Sequence, residues 1–527
     1  MIHLIKTTIN NFLKQEFPQE TNFKFNIEIP LRSNYGDLST NVVMIYGKKT
    51  QNINIFVEKI INILKNLSII HDVSYVAPGF LNIDLHGSVL ESVKKPSFIL
   101  EGDRNISVEY ASPNPTGPCH MGHGRGAIIG DIICSVLTYL GYKVRKDCFF
   151  NDAGKQVDHF IESVFLRYKE LKGEKIILEN LFYKGDYIIL MAKKYEGEQL
   201  SREEFFKKKT EILEFMKGDM EKTLNKLKIH HDIITYESQL QKEQKICWEL
   251  LKEKNLLEYE KTERGQKLLF KSTQFQDDKD RVIEREDGTI TYFGNDIAYH
   301  LKKKNSPYQE TYAHQIIILG DDHIGYLKRL AAAVSNLDIH LNIVTHNLVK
   351  IFKNKEEIKM SKRNGIFVTI DDFLKNYGNQ DLLRILLLEQ SYSSVLHLDL
   401  ENIVFENSSL FYIQYAYARL WSILKKNTIS TTEVAWHLLS SGEDKKLITL
   451  LVYWEEFIQN FYRNLDTHIL LLYIKNFCKT LHVYFTNHPI FQEYMDLQNA
   501  RLYLMKKCIL LLEDMMNILK IEILERM

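Results

Sequence analysis

Two histidines, His120 and His123, stand three residues apart directly after a loop rich in proline and glycine, residues 111–119. Proline fixes φ and removes a backbone donor, whereas glycine lets the backbone come close to a ligand. Imidazole N–H groups and the free amides at a helix N-terminus are suited to phosphate oxygens, and Gly122 leaves room for a nucleobase or ribose. The alternative is a loop with two histidines by chance. It is weakened because the flanking sequence predicts a strand before the loop and a helix after it.

A second candidate for phosphate chemistry is the sequence KMSKR at 359–363, in which Lys359 and Lys362 flank a small hydroxyl residue. A cationic loop of this kind suits a leaving pyrophosphate, where negative charge builds up in the transition state. Taken alone, such a charge run is better interpreted as a solvated basic turn. Its position far downstream of the histidine pair favours the phosphate interpretation.

The sequence around the histidine loop predicts a parallel sheet. ISVEY at 106–110 predicts a strand, and apolar residues recur at helical spacing over 128–140, with Gly141 where a helix-ending glycine belongs. YKVRKDCFF at 142–150 completes a strand–helix–strand unit, which implies parallel strands. Ligands of doubly wound sheets bind at the carboxyl ends of the strands, and the loop NDAGKQ at 151–156 is expected at that edge.

The pattern along the chain predicts a fold of the α/β class with several domains. Alternating apolar residues at 23–29 predict a strand, sheet-like sequence returns near 264–299, and Thr369 with Asp372 predicts a capping box at a helix start. The predicted regions are a small N-terminal α/β domain (1–85), a linker (86–104), a Rossmann-type catalytic domain (105–400) with a helical insertion at about 157–260, and an all-helical C-terminal domain (401–527).

Composition excludes several classes of function. Of the 527 residues, 68 are basic and 68 acidic, so no global field favours nucleic acid, and any RNA contact depends on local patches. The six cysteines form no C-x-x-C pair, so a dedicated metal site is not expected and reduced thiols are the simple interpretation. The N-terminal sequence has no continuous apolar segment, and no apolar run reaches the roughly 18 residues of a membrane span. We therefore expect a cytoplasmic protein without a membrane partner.

The order of these motifs resembles the class I aminoacyl-tRNA synthetases, which are defined by H-x-G-H followed by KMSK. Further sequences are similar to the arginyl-tRNA synthetase family in particular. They are EYASPNPTGPCHMGHGRGAIIGD, NDAGKQ, YKGDY (183–187), DKDRV, TYFGNDIAYH, GDDHIGY, IQYAYAR and the C-terminal LERM. NYGDLSTN near the N-terminus resembles that family's accessory domain, so the likeness covers essentially the whole chain.

This resemblance implies an enzyme that activates arginine with ATP and esterifies it to the terminal ribose of its tRNA. ATP with Mg²⁺, L-arginine and tRNA are the implied partners, and we expect a monomer. The implied catalytic residues are His120, His123, Lys359 and Lys362. The implied ATP-binding residues are Pro113, Thr116, Gly117, His120, Gly122, His123, Lys359, Met360, Ser361 and Lys362. The implied arginine-binding residues are Glu109, Ser112, Asn114, Tyr292, Asp296 and Tyr326.

The acidic residues in the implied arginine pocket suit the chemistry of that substrate. A guanidinium is planar and permanently charged, and its forked donors pair bidentately with a carboxylate. Lysine, a point charge, cannot reproduce that geometry, so such a pocket can be selective without editing. Other interpretations are a surface ion pair for Asp296 and a strand-end charge for Glu109.

The resemblance also implies two RNA-contacting regions, an anticodon-binding domain after residue 400 and an N-terminal domain that touches the tRNA body. Tyr412, Tyr415 and Arg419 share one predicted helix face and are the tRNA-binding candidates, through stacking on unpaired bases and contacts to phosphates. Packing of the two tyrosines in a core is an equally good interpretation. The bases read, and any requirement for tRNA during activation, stay open.

Three positions depart from the family pattern without touching the implied chemistry. Arg363 stands where the nominal loop has a second serine, Tyr417 where histidine is common, and Gln276 where glycine is frequent. Two other functions stay open, a nucleotidyltransferase of the same H-x-G-H superfamily and a tRNA-binding paralogue without catalysis. The C-terminal helical region argues against the first, and the intact motif residues argue against the second.

Overall fold

The structure, a computed structural model, describes residues 1–30, 35–93, 104–177, 181–263, 265–305, 310–321, 324–358, 368–426, 434–491 and 494–527, and for 324–325 the backbone alone. The chain divides into two compact units. One consists of Met1–Phe98, Phe405–Leu465 and Ile469–Met527, and the other of Ile99–Val404 and Asp466–His468. The first unit thus combines both ends of the chain, and the second contains the histidine loop.

The N-terminal part of the first unit is a small sheet with helices. Its elements are α1 (Ile2–Glu16), β1 (Ile27–Glu28), β2 (Leu38–Thr40), α2 (Val42–Tyr46), α3 (Ile53–Lys65), β3 (Ile70–Val76), β4 (Phe80–Leu85) and α4 (Val89–Ser92). The strands are antiparallel in the order β1-β2-β4-β3. The apolar positions of α1 from Ile2 to Leu13 that recur at helical spacing are buried, as the pattern predicts.

The strand predicted for residues 23–29 is shorter than expected, because only Ile27–Glu28 pairs with β2. The amide of Asn26 donates to the side-chain oxygen of Asn41 at 2.9 Å, so this donor bonds to a side chain and not to a neighbouring strand. The strand Ile70–Val76 was not predicted, because its burial does not alternate regularly.

The second unit contains a parallel sheet and the segments that connect its strands. Its first elements are β5 (Asn105–Glu109), α5 (Met121–Tyr139), β6 (Lys143–Phe150), α6 (Lys155–Leu171), α7 (Asp186–Lys193), α8 (Arg202–Lys207), α9 (Lys209–Lys226), β7 (Ile233–Tyr236), α10 (Gln241–Glu253), β8 (Leu257–Thr262), β9 (Gly265–Phe270) and β10 (Arg281–Glu284). They are followed by α11 (Tyr292–Lys304), β11 (His314–Gly320), α12 (Ile324–Ser335), β12 (His340–His346), β13 (Val349–Lys353), β14 (Glu356–Ile358), α13 (Ile370–Tyr377), α14 (Gln380–Leu386) and β15 (Leu396–Asp399).

Among the described residues, the parallel sheet has the strand order β12-β11-β5-β6-β7. From β5 the chain proceeds in one direction through β6 and β7, and later in the other direction through β11 and β12. The order therefore reverses between β5 and β11, and the crevice outside their carboxyl ends is where such sheets bind ligands. The histidine loop follows β5 and lies at this edge. The predicted α/β fold with a Rossmann-type parallel sheet is confirmed.

One prediction of local structure within this unit is incomplete and another is wrong. The region 157–260 is mostly helical, but it also contains the strand Ile233–Tyr236, which pairs with β6 at the edge of the parallel sheet, and the start of β8. TYFGNDIAYH, expected to be sheet-like, forms the start of the helix Tyr292–Lys304. The Thr291 side chain caps this helix by accepting the Gly294 amide at 3.2 Å. Phe293, Ile297 and Leu301 recur at helical spacing and are buried together, and this packing outweighs the β propensity of the aromatic residues.

Helix α5 packs closely on the end of β5 because it contains glycine at the contact. A Cβ built on Gly130 would lie 2.4 Å from Cβ and Cγ of Tyr110, a distance that real Cβ atoms do not show. Tyr110 is fully buried and follows the last residue of β5, so neither partner has room to move. Gly130 therefore sets the distance between the helix that begins with the histidines and the strand that precedes their loop.

We expect Gly130→Ala to destabilise the protein by roughly 2 kcal/mol or more, because overpacking a close-packed core forces backbone shifts. Gly218→Ala is the matched control. Gly218 also lies inside a helix, α9, but among the described residues a Cβ at that position would meet no atom within 4 Å apart from the backbone of its own helix and its chain neighbours. Alanine there should stabilise by up to about 1 kcal/mol through helix propensity alone. Urea unfolding of both variants checks this, and a similar effect of the two substitutions would contradict the close contact.

The C-terminal part of the first unit is helical. Its helices are α15 (Ser409–Lys425), α16 (Gly442–Asn464), α17 (Thr467–Asn487), whose first residues belong to the second unit, and α18 (Met495–Leu519). The Ser408 hydroxyl caps the start of α15 by accepting the Phe411 amide at 3.2 Å.

Within the first unit, the N-terminal module contacts these C-terminal helices directly. The Thr449 hydroxyl on α16 donates to the buried carboxylate of Asp37 at 3.2 Å, and Asp37 also accepts the Leu85 amide at 2.7 Å. Lys6 on α1 pairs with Glu456 on α16 at 2.5 Å. Segments more than 400 residues apart in sequence thus share buried polar contacts.

Over the described ranges, none of the helices has the length and apolar character needed to cross a membrane.

Candidate active site

The two histidines cap the helix that follows their loop. His120 is the N-cap residue of α5, and its Nδ1 accepts the His123 amide at 3.4 Å, while Nδ1 of His123 accepts the His120 amide at 3.4 Å. The rings stack with centroids 3.6 Å apart. Because Nδ1 of each ring is an acceptor, a neutral imidazole carries its proton on Nε2, the atom that can donate to a phosphate oxygen. A Cβ on Gly122 would crowd the His120 ring at 3.1 Å.

The loop before the histidines is held on both sides by neighbouring elements. The Ser112 hydroxyl accepts the Phe149 amide, near the end of β6, at 2.9 Å. The Tyr187 hydroxyl, at the start of α7, donates to the Thr116 carbonyl at 2.8 Å. Between these two anchors, Asn114 is exposed. Ser112 therefore fixes the loop through its side chain, whereas Asn114 is accessible to a ligand.

The remaining predicted ATP-binding residues of this loop lie next to these anchors. Thr116 is fully buried, and within the described parts of the chain its hydroxyl has no hydrogen-bond partner. A buried hydroxyl without a partner costs free energy that a bound ligand or water can offset. Pro113 is half-buried, and a Cβ on the buried Gly117 would lie 3.3 Å from the Tyr187 hydroxyl.

The KMSKR sequence lies outside the described residues, and with it the predicted residues Lys359, Met360, Ser361 and Lys362. The segment before it is an antiparallel hairpin, β13 and β14, which turns at Asn354 and Lys355, both with positive φ. The segment after it pairs with the start of the histidine helix. The Met121 amide donates to the Val368 carbonyl at 3.3 Å, and the Ile370 amide to the Cys119 carbonyl at 3.0 Å.

The start of α13, directly after this pairing, has the predicted capping box. The Thr369 hydroxyl accepts the Asp372 amide at 2.8 Å, and the Asp372 carboxylate accepts the Thr369 amide at 3.1 Å. Thr369 also forms a bridge with His120. The capped start of α13 thus connects the residues that follow KMSKR to His120, the N-cap residue of α5.

An acidic side chain without a cationic partner lies on α11. Asp296 is 8% exposed and accepts a hydrogen bond from the Tyr326 hydroxyl of α12, and no basic side chain among the described residues pairs with it. Burial is the largest cause that raises the pKa of Asp296, and the nearby carboxylates of Glu109 and Glu237 act in the same direction, whereas the Tyr326 hydroxyl and Lys303 lower it; together they raise this pKa to about 8. The exposed ring of Tyr292 lies 5.6 Å from that of Tyr326. This arrangement can stabilise a cation that enters beside the tyrosines.

Glu109, predicted to line the same pocket, already has a partner. Its carboxylate lies 2.7 Å from the ammonium of Lys303, and the two side chains are 5% and 1% exposed. The Glu109 carboxylate on β5 is therefore neutralised by Lys303. Asp296 on α11 has no such cation among the described residues. Glu109 adds negative potential beside Asp296, and one of its two carboxylate oxygens is engaged by Lys303.

Three family models match the chain. They are described as "Arginyl tRNA synthetase N terminal domain" for residues 3–85, "tRNA synthetases class I (R), catalytic domain" for 87–420 and "DALR anticodon binding domain" for 413–527. The catalytic model alone covers more than half of the chain and includes the histidine loop and Asp296. The chain belongs to the arginyl-tRNA synthetase family. The predicted family, enzyme class and arginine–tRNA ligase function are therefore confirmed.

Known members of the arginyl-tRNA synthetase family agree with this over nearly the full length. The chain is similar to the arginine–tRNA ligase of Ehrlichia ruminantium (strain Welgevonden), with 34% identity over 528 aligned positions, 92% of this chain and 91% of the relative. It is similar to that of Wolbachia pipientis wMel, with 32% identity and coverage of 99% and 98%. The arginyl-tRNA synthetase structure from Thermus thermophilus shares the fold, with a TM-score of 0.77 and full coverage of both chains at 17% identity.

A buried residue of this synthetase that the sequence did not single out is Arg125, one turn into α5. It is fully buried, and its guanidinium donates to backbone carbonyl oxygens of two segments. These are the carbonyls of Asn347, Leu348, Gln390, Ser391 and Ser394. Burial lowers the pKa of Arg125 to about 10, so the residue is charged at neutral pH. An arginine within the otherwise apolar sequence GRGAIIG is the signal that could have revealed it.

A second missed contact in this synthetase is a fully buried ion pair between Asp131 on α5 and Arg384 on α14, at 2.8 Å. Arg384 also donates to the Leu227 carbonyl at 2.7 Å. Breaking a buried pair leaves an uncompensated charge, so this contact fixes α5 to elements far along the chain.

The tRNA-binding candidates of this family member lie on α15 in the first unit. The rings of Tyr412 and Tyr415 lie 4.4 and 5.5 Å from that of His482 on α17, and Tyr415 is 40% exposed. The Arg419 guanidinium lies 4.6 Å from the Phe485 ring. The three candidates therefore share a face, as predicted, and His482 joins them.

Proposed function

We propose that the chain activates L-arginine with ATP to give arginyl-adenylate and pyrophosphate, and then transfers arginine to the 3′-terminal ribose of its tRNA. The observation that carries the proposal is the buried carboxyl group of Asp296, for which the described residues provide no cationic partner, in the unit whose sheet edge also carries the stacked histidines. One half of such a site accepts a cationic side chain, and the other donates to phosphate. Adenylate formation requires both halves in one enzyme.

The first step needs no protein nucleophile. The arginine carboxylate attacks the α-phosphorus in line, the bond to the β-phosphate oxygen breaks, and pyrophosphate leaves with the negative charge. Positioning and charge stabilisation supply most of the rate in such transfers. In our proposal the Nε2–H groups of His120 and His123 donate to phosphate oxygens, and the ammonium groups of Lys359 and Lys362 stabilise the leaving pyrophosphate.

Magnesium would enter as part of the substrate, bound to the triphosphate of ATP. In the part of the chain that the structure describes, no group of three or more His, Cys, Asp or Glu side chains is close enough to hold a metal ion. Mg²⁺ keeps several water ligands and is bound largely through phosphate in sites of this kind, so a dedicated protein cage is not required.

Selectivity for arginine follows in this proposal from the chemistry of Asp296. A carboxylate accepts two parallel N–H bonds from a guanidinium, whereas citrulline, which lacks the charge, would leave the buried carboxylate unpaired. The Tyr292 ring stands at the exposed side and can cover the planar guanidinium. Ser112, which anchors the loop, and the exposed Asn114 are proposed to face the α-amino and carboxylate groups of the substrate, with Glu109 and Tyr326 lining the pocket.

The test of this proposal is ATP–pyrophosphate exchange with arginine, followed in the presence and in the absence of tRNA, together with charging of total tRNA. We expect arginine to support both reactions and lysine and citrulline to support neither. Charging of tRNA with a different amino acid would contradict the assignment of arginine as the substrate. Exchange that needs no tRNA would show that activation is independent of the second substrate.

We propose that the face formed by Tyr412, Tyr415 and Arg419 stacks on unpaired bases of the tRNA. Tyr415→Ala should raise the KM for tRNA by about tenfold, because stacking of one base on an aromatic ring contributes about 1–3 kcal/mol. The KM for arginine should not change. Tyr494→Ala, at an exposed tyrosine of the same helical region, is the matched control. Equal effects of the two substitutions would contradict a specific stacking face.

The N-terminal domain is proposed to touch the tRNA body. It contains a cavity of about 420 Å³ lined by several amide side chains and aromatic rings. Among them are Asn26, Asn41, Asn82, Tyr35 and Phe80. Amide groups pair with base edges and rings stack on base faces, which supports an RNA contact.

We further propose the domain boundaries 1–85, 86–104, 105–400 and 401–527, a monomeric state and a cytoplasmic location.

A further inference from the structure

Lys303 places a buried ammonium inside the catalytic unit, two turns after Asp296 on α11. The ammonium lies 2.7 Å from the Glu109 carboxylate of β5 and 4.4 Å from the centroid of the Tyr299 ring. The Lys303 side chain is 1% exposed. Burial of a charge is costly unless the charge is paired, so each member of this ion pair depends on the other.

A second layer of contacts fixes the position of Lys303. Its carbonyl oxygen accepts the Arg145 guanidinium at 2.8 Å, and Arg145 pairs with the buried Asp147 at 3.1 Å, both on β6. The Arg145 guanidinium also lies 4.1 Å from the centroid of the Tyr312 ring. The last turn of α11 is thereby anchored to the sheet, which fixes the backbone from which the Lys303 side chain extends to Glu109.

The charged and titratable groups around Asp296 come from four elements. They are Tyr292 and Lys303 of α11 itself, Tyr326 of α12, Glu109 of β5 and Glu237 directly after β7. Burial is the largest influence and raises the pKa of Asp296. The Tyr326 hydroxyl and Lys303 lower this pKa, whereas the Glu109 and Glu237 carboxylates raise it. Lys303 is the cation in this set.

We propose that Lys303 is a positioning residue for recognition of the amino acid. By holding Glu109 in a closed ion pair, it leaves Asp296 as the carboxylate that the cationic side chain of the substrate neutralises. This inference rests on the proposed function, in which arginine binds at Asp296. Without Lys303, two unpaired carboxylates would stand beside one guanidinium, the Glu109 side chain would lose its fixed orientation, and Asp296 would ionise less readily.

The test is the pH dependence of the arginine KM between pH 6 and 9.5 in the full-length enzyme. A guanidinium binds the ionised carboxylate, so the KM should fall as the pH rises towards the pKa of Asp296 and level off above it. Lys303→Met should move this midpoint upward by about one pH unit and raise the KM at pH 7.5 by about tenfold. We expect kcat and the KM for ATP to change by less than about threefold. The midpoint of each variant is compared with that of the wild type, so titration of the arginine substrate affects both equally and cancels in the difference.

Three further variants separate a charge effect from a packing effect. Lys303→Arg should restore the midpoint, since it restores the positive charge. Glu109→Gln should move the midpoint downward, because it removes a neighbouring carboxylate. The double variant Glu109→Gln/Lys303→Met removes both charges, so its midpoint should return close to the wild-type value. Lys302→Met, on the same helix but half-buried and directed to Gln239 and Glu243, is the control and should change neither quantity.

The outcomes are distinguishable. An unmoved midpoint in folded Lys303→Met, or equal losses in kcat and both KM values that Lys303→Arg does not restore, would overturn the role of Lys303. If Lys303→Met does not fold, as judged by circular dichroism, the Glu109→Gln and double variants carry the test, and identical midpoints in these two would overturn it. Absence of arginine-dependent exchange in the wild type would instead overturn the proposed function.

Discussion

Asp296→Asn should reduce kcat/KM for arginine by roughly 1,000-fold, mainly through KM. The substitution keeps the size of the side chain but removes the charge that would pair with the guanidinium. Truncating one partner of a buried, hydrogen-bonded charge pair costs about 2–5 kcal/mol in binding, and 4 kcal/mol is about 1,000-fold. The KM for ATP should stay within about twofold. Steady-state exchange kinetics over a range of arginine concentrations measure both constants.

The pH dependence gives this prediction a second, independent check. Because the pKa of Asp296 is raised to about 8, the carboxyl group is largely protonated at pH 7, and arginine must displace its proton on binding. The wild-type KM should therefore fall by up to about tenfold for each pH unit between 6 and 8. In Asp296→Asn this dependence should disappear. Asp338→Asn, at an exposed aspartate of the same unit, is the control and should keep the wild-type profile. An unchanged arginine KM in Asp296→Asn would show that Asp296 does not bind the guanidinium of the substrate.

His123→Ala should reduce the rate of adenylate formation by about 100- to 1,000-fold, while the dissociation constant for tRNA changes by no more than about twofold. Loss of one donor to a developing negative charge typically has an effect of this size. The imidazole is not needed for RNA contacts in our proposal, so the two quantities should separate. Pyrophosphate exchange measures the first, and filter binding of labelled tRNA measures the second.

The same substitution also removes a helix cap, and this effect needs a control. The His123 side chain accepts the His120 amide, and loss of a cap costs about 1 kcal/mol of stability. Thermal unfolding should therefore show a modest decrease, too small to explain the lost rate at 25 °C. His340→Ala, at an exposed histidine of β12, should leave both exchange and tRNA binding unchanged. Comparable losses of exchange and tRNA affinity in His123→Ala would contradict its role at phosphate.

Local sequence patterns predicted the parts of the site that depend on neighbours along the chain. The strand, glycine-rich loop and histidine-capped helix follow one another within about forty residues, and their spacing was sufficient to predict them. The glycine expected at position 276 is a similar case. Gln276 adopts φ = 65°, in the left-handed region that favours glycine. The glycine that is frequent at this position in the family therefore indicates a backbone conformation, and in this chain glutamine adopts it.

Long-range pairing is what the sequence could not predict. Glu109 and Lys303 are 194 positions apart, and no local pattern indicates that the carboxylate at the end of β5 has a partner on α11. Helix α11 itself was expected to be sheet-like, because its aromatic residues favour strands and the contribution of the Thr291 cap is small. Residue types alone therefore placed Glu109 and Asp296 in one neighbourhood, whereas the pairing of Glu109 with Lys303 is seen only in the structure.

The contact between Asp37 and Thr449 has a consequence for synthesis of the protein. The two residues are 412 positions apart, so at about 5–20 residues per second the ribosome needs roughly 20 to 80 s to make the second after the first. During that time the N-terminal module lacks α16, whose Thr449 contacts the buried Asp37. The catalytic segment, encoded between them, has the opportunity to fold before the unit formed by the two chain ends is complete. Folding of this enzyme should therefore proceed from the middle of the chain outward.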